Sequence, residues 1–196
     1  MLKFDKLVFG DAGWGDEFLI ATLMTILVSI MSMGLGLFIA IITVWAKLIQ
    51  NKISRILANF YTTVIRGVPE LLVIYLIFFG GNAVVMKIAK IFGYNGYIEL
   101  NAFTIATIAI AIISATYSSE VLRAAYLSIS KGQIEASRSL GMNRWSIFIK
   151  IISPQVIRHA LPGIGNVWQI TLKDTSLISV TGLVEIMRQT RISSNV

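Results

Sequence analysis

The sequence predicts an all-α polytopic membrane protein, a bundle of transmembrane helices forming one domain over residues 1–196. Three observations predict it. The chain is 56% hydrophobic and only 14% charged, where a soluble domain carries about 25% charge. Its mean hydropathy is +0.77. Residues 18–46 and 100–119 run for 29 and 20 residues without a charge, and at ~1.5 Å per residue each is long enough to cross a ~30 Å hydrocarbon core.

The elements follow in order. Residues 1–17 are polar, with Asp5, Asp11, Asp16 and Glu17 against Lys3 and Lys6. The apolar run after them exceeds the ~7–15 residues of a signal-peptide core, so no cleavable leader is expected. The first span, 18–46, is longer than the hydrocarbon core and must tilt or protrude. Its Gly34 and Gly36 permit close helix contact. Lys47, Lys52 and Arg55 follow with no acid between them, a basic loop of the kind retained in the cytoplasm, which places the N-terminus outside. The second span, 56–79, contains Arg66, Pro69 and Glu70. Proline has no N–H and clashes with the preceding turn, so a kink is expected there. Gly80, Gly81 and Asn82 end this span, and residues 83–92, with Lys87 and Lys90, predict a short amphipathic helix on the outer surface. The third span, 100–119, runs back inward.

Residues 120–159 carry Arg123, Lys131, Arg138, Arg144, Lys150 and Arg158 and read as cytoplasmic by the same rule. A fourth span, 160–184, is broken by Lys173 and Asp174, with Pro162 near its start, where proline is tolerated. The remainder, with Glu185, Arg188, Gln189, Arg191 and Asn195, is polar. Four spans are therefore visible.

Several function classes are excluded by what the sequence lacks. The net charge of +7 is distributed as topology-setting loop charge, not as a basic stripe interleaved with aromatics, which argues against nucleic acid. No cysteine is present and His159 is the single histidine, so no thiolate or histidine metal centre is expected. The phosphate-cradling loop G-x-x-x-x-G-K-[ST], the G-x-S-x-G elbow and H-E-x-x-H are all missing. If ATP drives this protein, another chain hydrolyses it.

Ionisable residues inside spans are costly in lipid and mark a pathway or a partner. Arg66, Glu70, Glu120, Lys173 and Asp174 are the candidates for a translocation pathway. Arg66 and Glu70 are four apart, so a continuous helix would set them on one face. Arg66 snorkelling to the cytoplasmic interface is an equal alternative. Lys173 and Asp174 are adjacent and point in different directions on a helix, marking either the path or a helix break. Glu120 falls at the cytoplasmic end of the third span, where a structural role is the alternative.

The most specific pattern lies in residues 135–154. It reads Glu135-Ala136-Ser137-Arg138-Ser139-Leu140-Gly141, then nine residues, then Ile151-Ile152-Ser153-Pro154. This resembles the EAA loop of ABC importer permeases, E-A-A-x-x-x-G followed nine residues later by I-x-L-P. Ser137 stands where the second alanine is usual and Ser153 where leucine is usual. The residues themselves predict a short helix ending at a Gly141 turn with φ > 0, then a second helix capped by Asn143 near Arg144. The alternative is an amphipathic helix lying on anionic lipid, which does not account for the Glu–Gly–Pro spacing.

Other motifs extend the resemblance over nearly the whole chain. Arg66-Gly67-Val68-Pro69-Glu70-Leu71, Tyr117-Ser118-Ser119-Glu120-Val121-Leu122-Arg123 (with Ala124 where glycine is usual), Gly132-Gln133 and Lys173-Asp174-Thr175-Ser176-Leu177 are similar to motifs of the polar amino acid permeases. Gly13-Trp14-Gly15-Asp16 and Pro69-Glu70-Leu71 resemble the histidine, arginine and opine branch.

The resemblance implies a permease subunit, not an enzyme, in the bacterial inner membrane. It implies a cytoplasmic coupling loop over about 120–159 in which Glu135, Ala136, Ser137, Gly141, Ile151 and Pro154 engage an ABC ATPase, with Glu135 orienting the projection by hydrogen bonds and Gly141 allowing the turn. ATP and magnesium would sit on the ATPase and no cofactor on this chain. The other implied partners are a second, similar or identical permease and a periplasmic solute-binding protein. Permeases of this type usually have five spans. Only twelve residues follow Val184, so the fifth is expected to be missing, through truncation or because the sequence is a fragment, with weaker assembly, low or no transport from this chain alone and the C-terminus left outside. A non-transporting membrane scaffold or regulatory protein would keep the same spans without an ATPase partner. Genes for an ATPase, a second permease and a binding protein beside this one would distinguish the two.

Overall fold

A computed structural model of the chain describes residues 8–9, 13–94 and 101–194. Lys3, Asp5, Lys6, Asp11, the first residue of the third expected span (Leu100) and Asn195 lie outside the described residues. Every regular element among those described is helical: α1 (Gly15–Leu48), α2 (Lys52–Gly67), α3 (Glu70–Ile91), α4 (Ala102–Leu127), α5 (Lys131–Ser139), α6 (Arg144–Ile147), α7 (Ser153–Asp174) and α8 (Ile186–Ser194). A π-helical turn, Phe148–Ile152, joins α6 to α7, and a 3-10 segment, Thr175–Thr181, follows α7. Among the described residues, α1 and α4 are each long and apolar enough to cross a membrane. α2 and the first half of α3 reach that standard only together, and they are bent by 110° at their junction.

The bundle is organised around α1 and α4. Ser32 Oγ donates to Thr107 O at 3.1 Å, Gly36 lies against Ala111 and Ser114, and Lys47 meets Glu120. These contacts ascend both helices in the same sense, so α1 and α4 run parallel. Their buried residues are small: Ala21, Ser29, Ser32, Gly36 and Ala40 on α1, and Ala106, Ala111, Ser114, Ala115 and Ser118 on α4. Small side chains let two backbones approach closely, which is how helices associate where no water is available to be expelled. A Cβ on Gly36 would overlap Ser114 Oγ and lie 3.1 Å from Ala111 O, whereas one on Gly34 would meet nothing within 4 Å. The close contact belongs to Gly36.

Parallel α1 and α4 require a return between them, and α2 and α3 make it. Val73 and Ile74 of α3 bury against Ala109 and Ile113 of α4. α7 runs opposite to α4: Gly163 packs against Val121, and further along Trp168 Nε1 donates to Ser29 Oγ at 2.8 Å.

Several boundaries differ from those the sequence suggested. The stretch expected as one interrupted span at 56–79 is two helices. α3 continues through Gly80 and Gly81 to Ile91, so residues 83–92 are not a separate surface helix. A mid-helix glycine weakens a helix by only ~1 kcal/mol, and the stop is Gly93, at φ 84, with Tyr94 N donating to Ala89 O at 2.9 Å. α4 continues to Leu127, so residues 120–127, expected in the loop, are helical. α7 starts at Ser153 instead of 160, which puts Pro162 in the helix interior and not near its start. It is Pro154 that occupies the first turn of α7, and the wide π-helical turn directly before it relieves the clash of its ring with the preceding carbonyl. Lys47, read as a loop residue, is in the last turn of α1 and only 8% exposed.

The seam predicts an asymmetry between neighbouring glycines. Gly36→Leu should lower the thermal unfolding midpoint of the detergent-purified protein, at an overpacking cost of about 1–3 kcal/mol. Gly34→Leu should leave the midpoint within error of wild type. Equal effects would place the helix contact elsewhere.

Candidate translocation site and coupling turn

The break between α2 and α3 builds the first site. Val68 and Pro69 are extended (ψ 139° and 133°), and α3 restarts with Leu72 N and Val73 N donating to Pro69 O at 2.9 and 3.2 Å. Arg66 therefore ends one helix and Glu70 begins another, and they do not share a helix face as their spacing suggested. Tyr117 of α4 brings them together instead. Its hydroxyl donates to Glu70 Oε1 at 3.0 Å, and the Arg66 guanidinium stands over its ring at 5.6 Å from the centroid. Asp174, the last residue of α7, is 6% exposed, and its carboxyl group faces that of Glu70. Lys173, next to it, is exposed. Two carboxyls, a phenol and a guanidinium from four helices thus meet where the chain turns. Tyr117 was not among the candidates. A tyrosine facing a helix interface needs a partner for its hydroxyl, and that was the signal available.

Glu120 belongs to an adjoining cluster. Its Oε1 accepts from Lys47 Nζ at 2.5 Å and its Oε2 from Arg123 Nε at 3.0 Å. Lys47 Nζ also donates to Thr62 Oγ1 at 2.8 Å, so one buried ammonium joins α1, α2 and α4. A cleft of about 380 Å³ opens beside it, lined by Lys47, Asn59, Thr62, Arg66 and Glu120.

The second site is the turn between α5 and α6, at the end of the bundle where α1 and α4 finish. α5 ends with Gly141 N donating to Arg138 O at 2.9 Å and Met142 N to Ser137 O at 3.1 Å. Gly141 sits at φ 76, with nothing near where a Cβ would be. The demand for glycine there comes from the backbone alone. Asn143 Oδ1 accepts from Ser146 N at 2.7 Å, capping α6. Ile129, Ile147 and Ile152 form the core of the turn, with Ile134, Met142 and Ile151 packed on them.

Ser137 is buried, and its hydroxyl donates to Gln133 O at 2.6 Å; a serine fits this apolar position because its own helix satisfies it. Glu135 and Ala136 are exposed. Among the described residues the Glu135 carboxylate makes no ion pair or hydrogen bond, so caps and apolar packing hold the turn, not Glu135 as the sequence suggested. Leu140 and Trp145 are 83% and 70% exposed at the tip, the indole stacked on Phe148 at 6.0 Å.

Two helices of membrane-spanning length, a bent helix pair and a capped turn at one end describe a helical membrane protein, and the comparisons assign it to a transport family. Residues 32–196 match the family described as binding-protein-dependent transport system inner membrane component, and the chain belongs to that family. It is thus a transport component and not an enzyme. It is similar to the nopaline transport system permease protein NocQ of Agrobacterium fabrum, 51% identical over 93% of this chain and 78% of the relative. The histidine/lysine/arginine/ornithine permease HisQ of Escherichia coli is 35% identical over 92% of this chain and 79% of that protein. In three dimensions it resembles a crystal structure of an amino acid ABC transporter with histidines, with a TM-score of 0.77 and 31% identity over 93% of this chain and 80% of that one.

The Lys47–Glu120 pair predicts unequal losses. Lys47→Met leaves Glu120 with Arg123 and partial solvent, its side chain being 28% exposed. Glu120→Gln leaves an ammonium that is 4% exposed without a counter-charge. Removing one partner of a buried pair costs about 3–5 kcal/mol when the remaining charge is uncompensated. Glu120→Gln should therefore lower the unfolding midpoint more than Lys47→Met, and the reverse order would contradict the assignment of Lys47 as the buried member.

Proposed function

We propose that this chain is a permease subunit of an ATP-driven importer in the bacterial inner membrane that carries a basic amino acid or an opine inward. The observation that carries the substrate class is the pairing of Glu70 and Asp174 beside Tyr117. A carboxyl pair buried at a helix break has a purpose if a cation passes it. Relatives named for nopaline, octopine, arginine and histidine transport support the same class, since guanidinium, imidazolium and ammonium side chains all complement carboxylates.

The bundle crosses the membrane as α1, the bent α2–α3 pair, α4 and α7, with the N-terminus outside and the α5–α6 turn in the cytoplasm. ABC ATPase subunits, which bind ATP and magnesium, dock on that turn. Leu140 and Trp145 enter the ATPase surface and Glu135 and Ala136 border it. Ser137, Gly141, Ile151 and Pro154 hold its shape. A periplasmic binding protein delivers the solute from the other side. A second permease completes the path, and the exposed apolar face of α2 (Ile53, Ile56, Leu57 and Phe60) meets it or lipid. Arg66, Glu70 and Asp174 lie on the path, with Tyr117 between them. Glu120 braces it, and Lys173 stands aside.

Coupling is tested at the turn. In the reconstituted complex, Gly141→Val should abolish ATPase stimulation by loaded binding protein, because a β-branched residue does not tolerate φ > 0. Gly141→Asn, which does tolerate it, should retain most of it. Stimulation at the wild-type level in the valine variant would remove the turn from the coupling path.

Topology is tested by labelling. Single cysteines at Lys131 and Tyr94 should react with an impermeant maleimide from opposite faces of the membrane, position 94 in intact cells and position 131 only in inverted vesicles. Reaction of position 131 in intact cells would reverse the orientation.

A further inference from the structure

The acid pair accounts for a cationic side chain but leaves Arg66 without a use. Its guanidinium rests on the Tyr117 ring and, among the described residues, has no ion pair and no hydrogen bond. The cleft it lines also holds Lys47 and Glu120, and the single Glu120 carboxylate is shared between Lys47 and Arg123, so the cleft carries net positive charge. Arg66 is the cation there that has no ion pair among the described residues, in a position to accept an anion. Tyr117 lies between it and the carboxyls, its ring under Arg66 and its hydroxyl on Glu70. The site has one positive pole and one negative pole separated by a single phenol.

That polarity matches a basic amino acid or opine, which carries a carboxylate at one end and a cation at the other. We propose that Arg66 is a specificity-determining residue that binds the substrate α-carboxylate in the cleft between α1, α2 and α4, while the cationic side chain reaches past Tyr117 to Glu70 and Asp174. The inference rests on the transport reading above and deepens it. A guanidinium suits the task because its fork of donors meets a carboxylate through two parallel hydrogen bonds, which a lysine ammonium cannot reproduce. The cleft, at about 380 Å³, falls in the size range of small-molecule sites.

The test compares L-arginine with agmatine, which has the same guanidinium and chain but no carboxylate. Direct binding of each to the assembled permease–ATPase complex, purified without binding protein, is measured by calorimetry. Wild type should prefer L-arginine by about tenfold or more, the range of one charge-assisted hydrogen-bonded contact. Arg66→Gln should reduce that preference to about unity by weakening L-arginine, with agmatine binding retained or tightened because its ammonium no longer meets the Arg66 cation, and retained agmatine binding also reports that the variant is folded. Arg66→Lys should fall between. If the glutamine variant does not assemble, the ratio is read in the lysine variant, where an unchanged preference overturns the proposal. A wild-type ratio near unity, or a wild-type ratio in Arg66→Gln, overturns the carboxylate clamp alone. Failure of the wild-type complex to bind any of L-arginine, L-histidine, nopaline and octopine overturns the substrate reading and the clamp with it.

Discussion

The close, parallel approach of α1 and α4 is the constraint on which the rest of this structure depends. It works because Gly36 presents bare backbone to Ala111 and Ser114, with small residues continuing on either side. Once that contact sets the register, Lys47 reaches Glu120 at one end of the seam. The other side of α4 is then free to hold α3 through Ala109 and Ile113. Tyr117, on the same helix, faces the start of α3 and so meets Glu70. A looser seam would relax the ion pair and the phenol contact together.

The second constraint is the missing N–H of Pro69. A continuous helix through residues 52–91 would place Arg66 and Glu70 one above the other as a simple pair. The 110° bend separates them and opens both to α4 and to the end of α7. Helix ends also leave backbone groups without intrahelical partners, so a broken helix adds polar capacity to the bundle. The same principle operates at the far end of α7, where the α-helix gives way to a 3-10 segment at Asp174. Two breaks facing one tyrosine make a polar site without a single long polar helix.

How much of this was legible in the sequence follows from the range over which each signal acts. The charge-free runs gave α1 and α4, because hydrophobic length is a property of the segment itself. The α5–Gly141–α6 turn was legible for the same reason: the Gly141 backbone, the Asn143 cap and the start of α6 near Arg144 are all local chemistry. The boundaries that differed were decided by neighbours. Gly80 and Gly81 read as a helix end, yet glycine only weakens a helix. Pro162 read as a helix start, because nothing in the local sequence shows that α7 already begins at Ser153. Lys47 read as a topology signal, since its burial depends on Thr62 and Glu120, which are 15 and 73 positions away. Of the residues that meet at the two helix breaks, Arg66, Glu70 and Asp174 stood out through the cost of a charge in an apolar setting. Tyr117 was missed because its role arises only from what three other helices bring to it. Glu135 was expected to hold the turn by hydrogen bonds, and the fold leaves it facing outward, where only a partner can use it.

The central claim is that the carboxyls gathered at the helix breaks receive the cationic part of the solute. The most direct measurement is uptake of radiolabelled L-arginine into proteoliposomes holding the complete importer, with Glu70→Gln in this chain and basal ATP hydrolysis recorded alongside. Removing one of two charge-assisted contacts to the cation is worth about tenfold or more in transport. The account predicts a loss of that size with basal hydrolysis retained. Arginine uptake at the wild-type rate in the Glu70→Gln importer would contradict it.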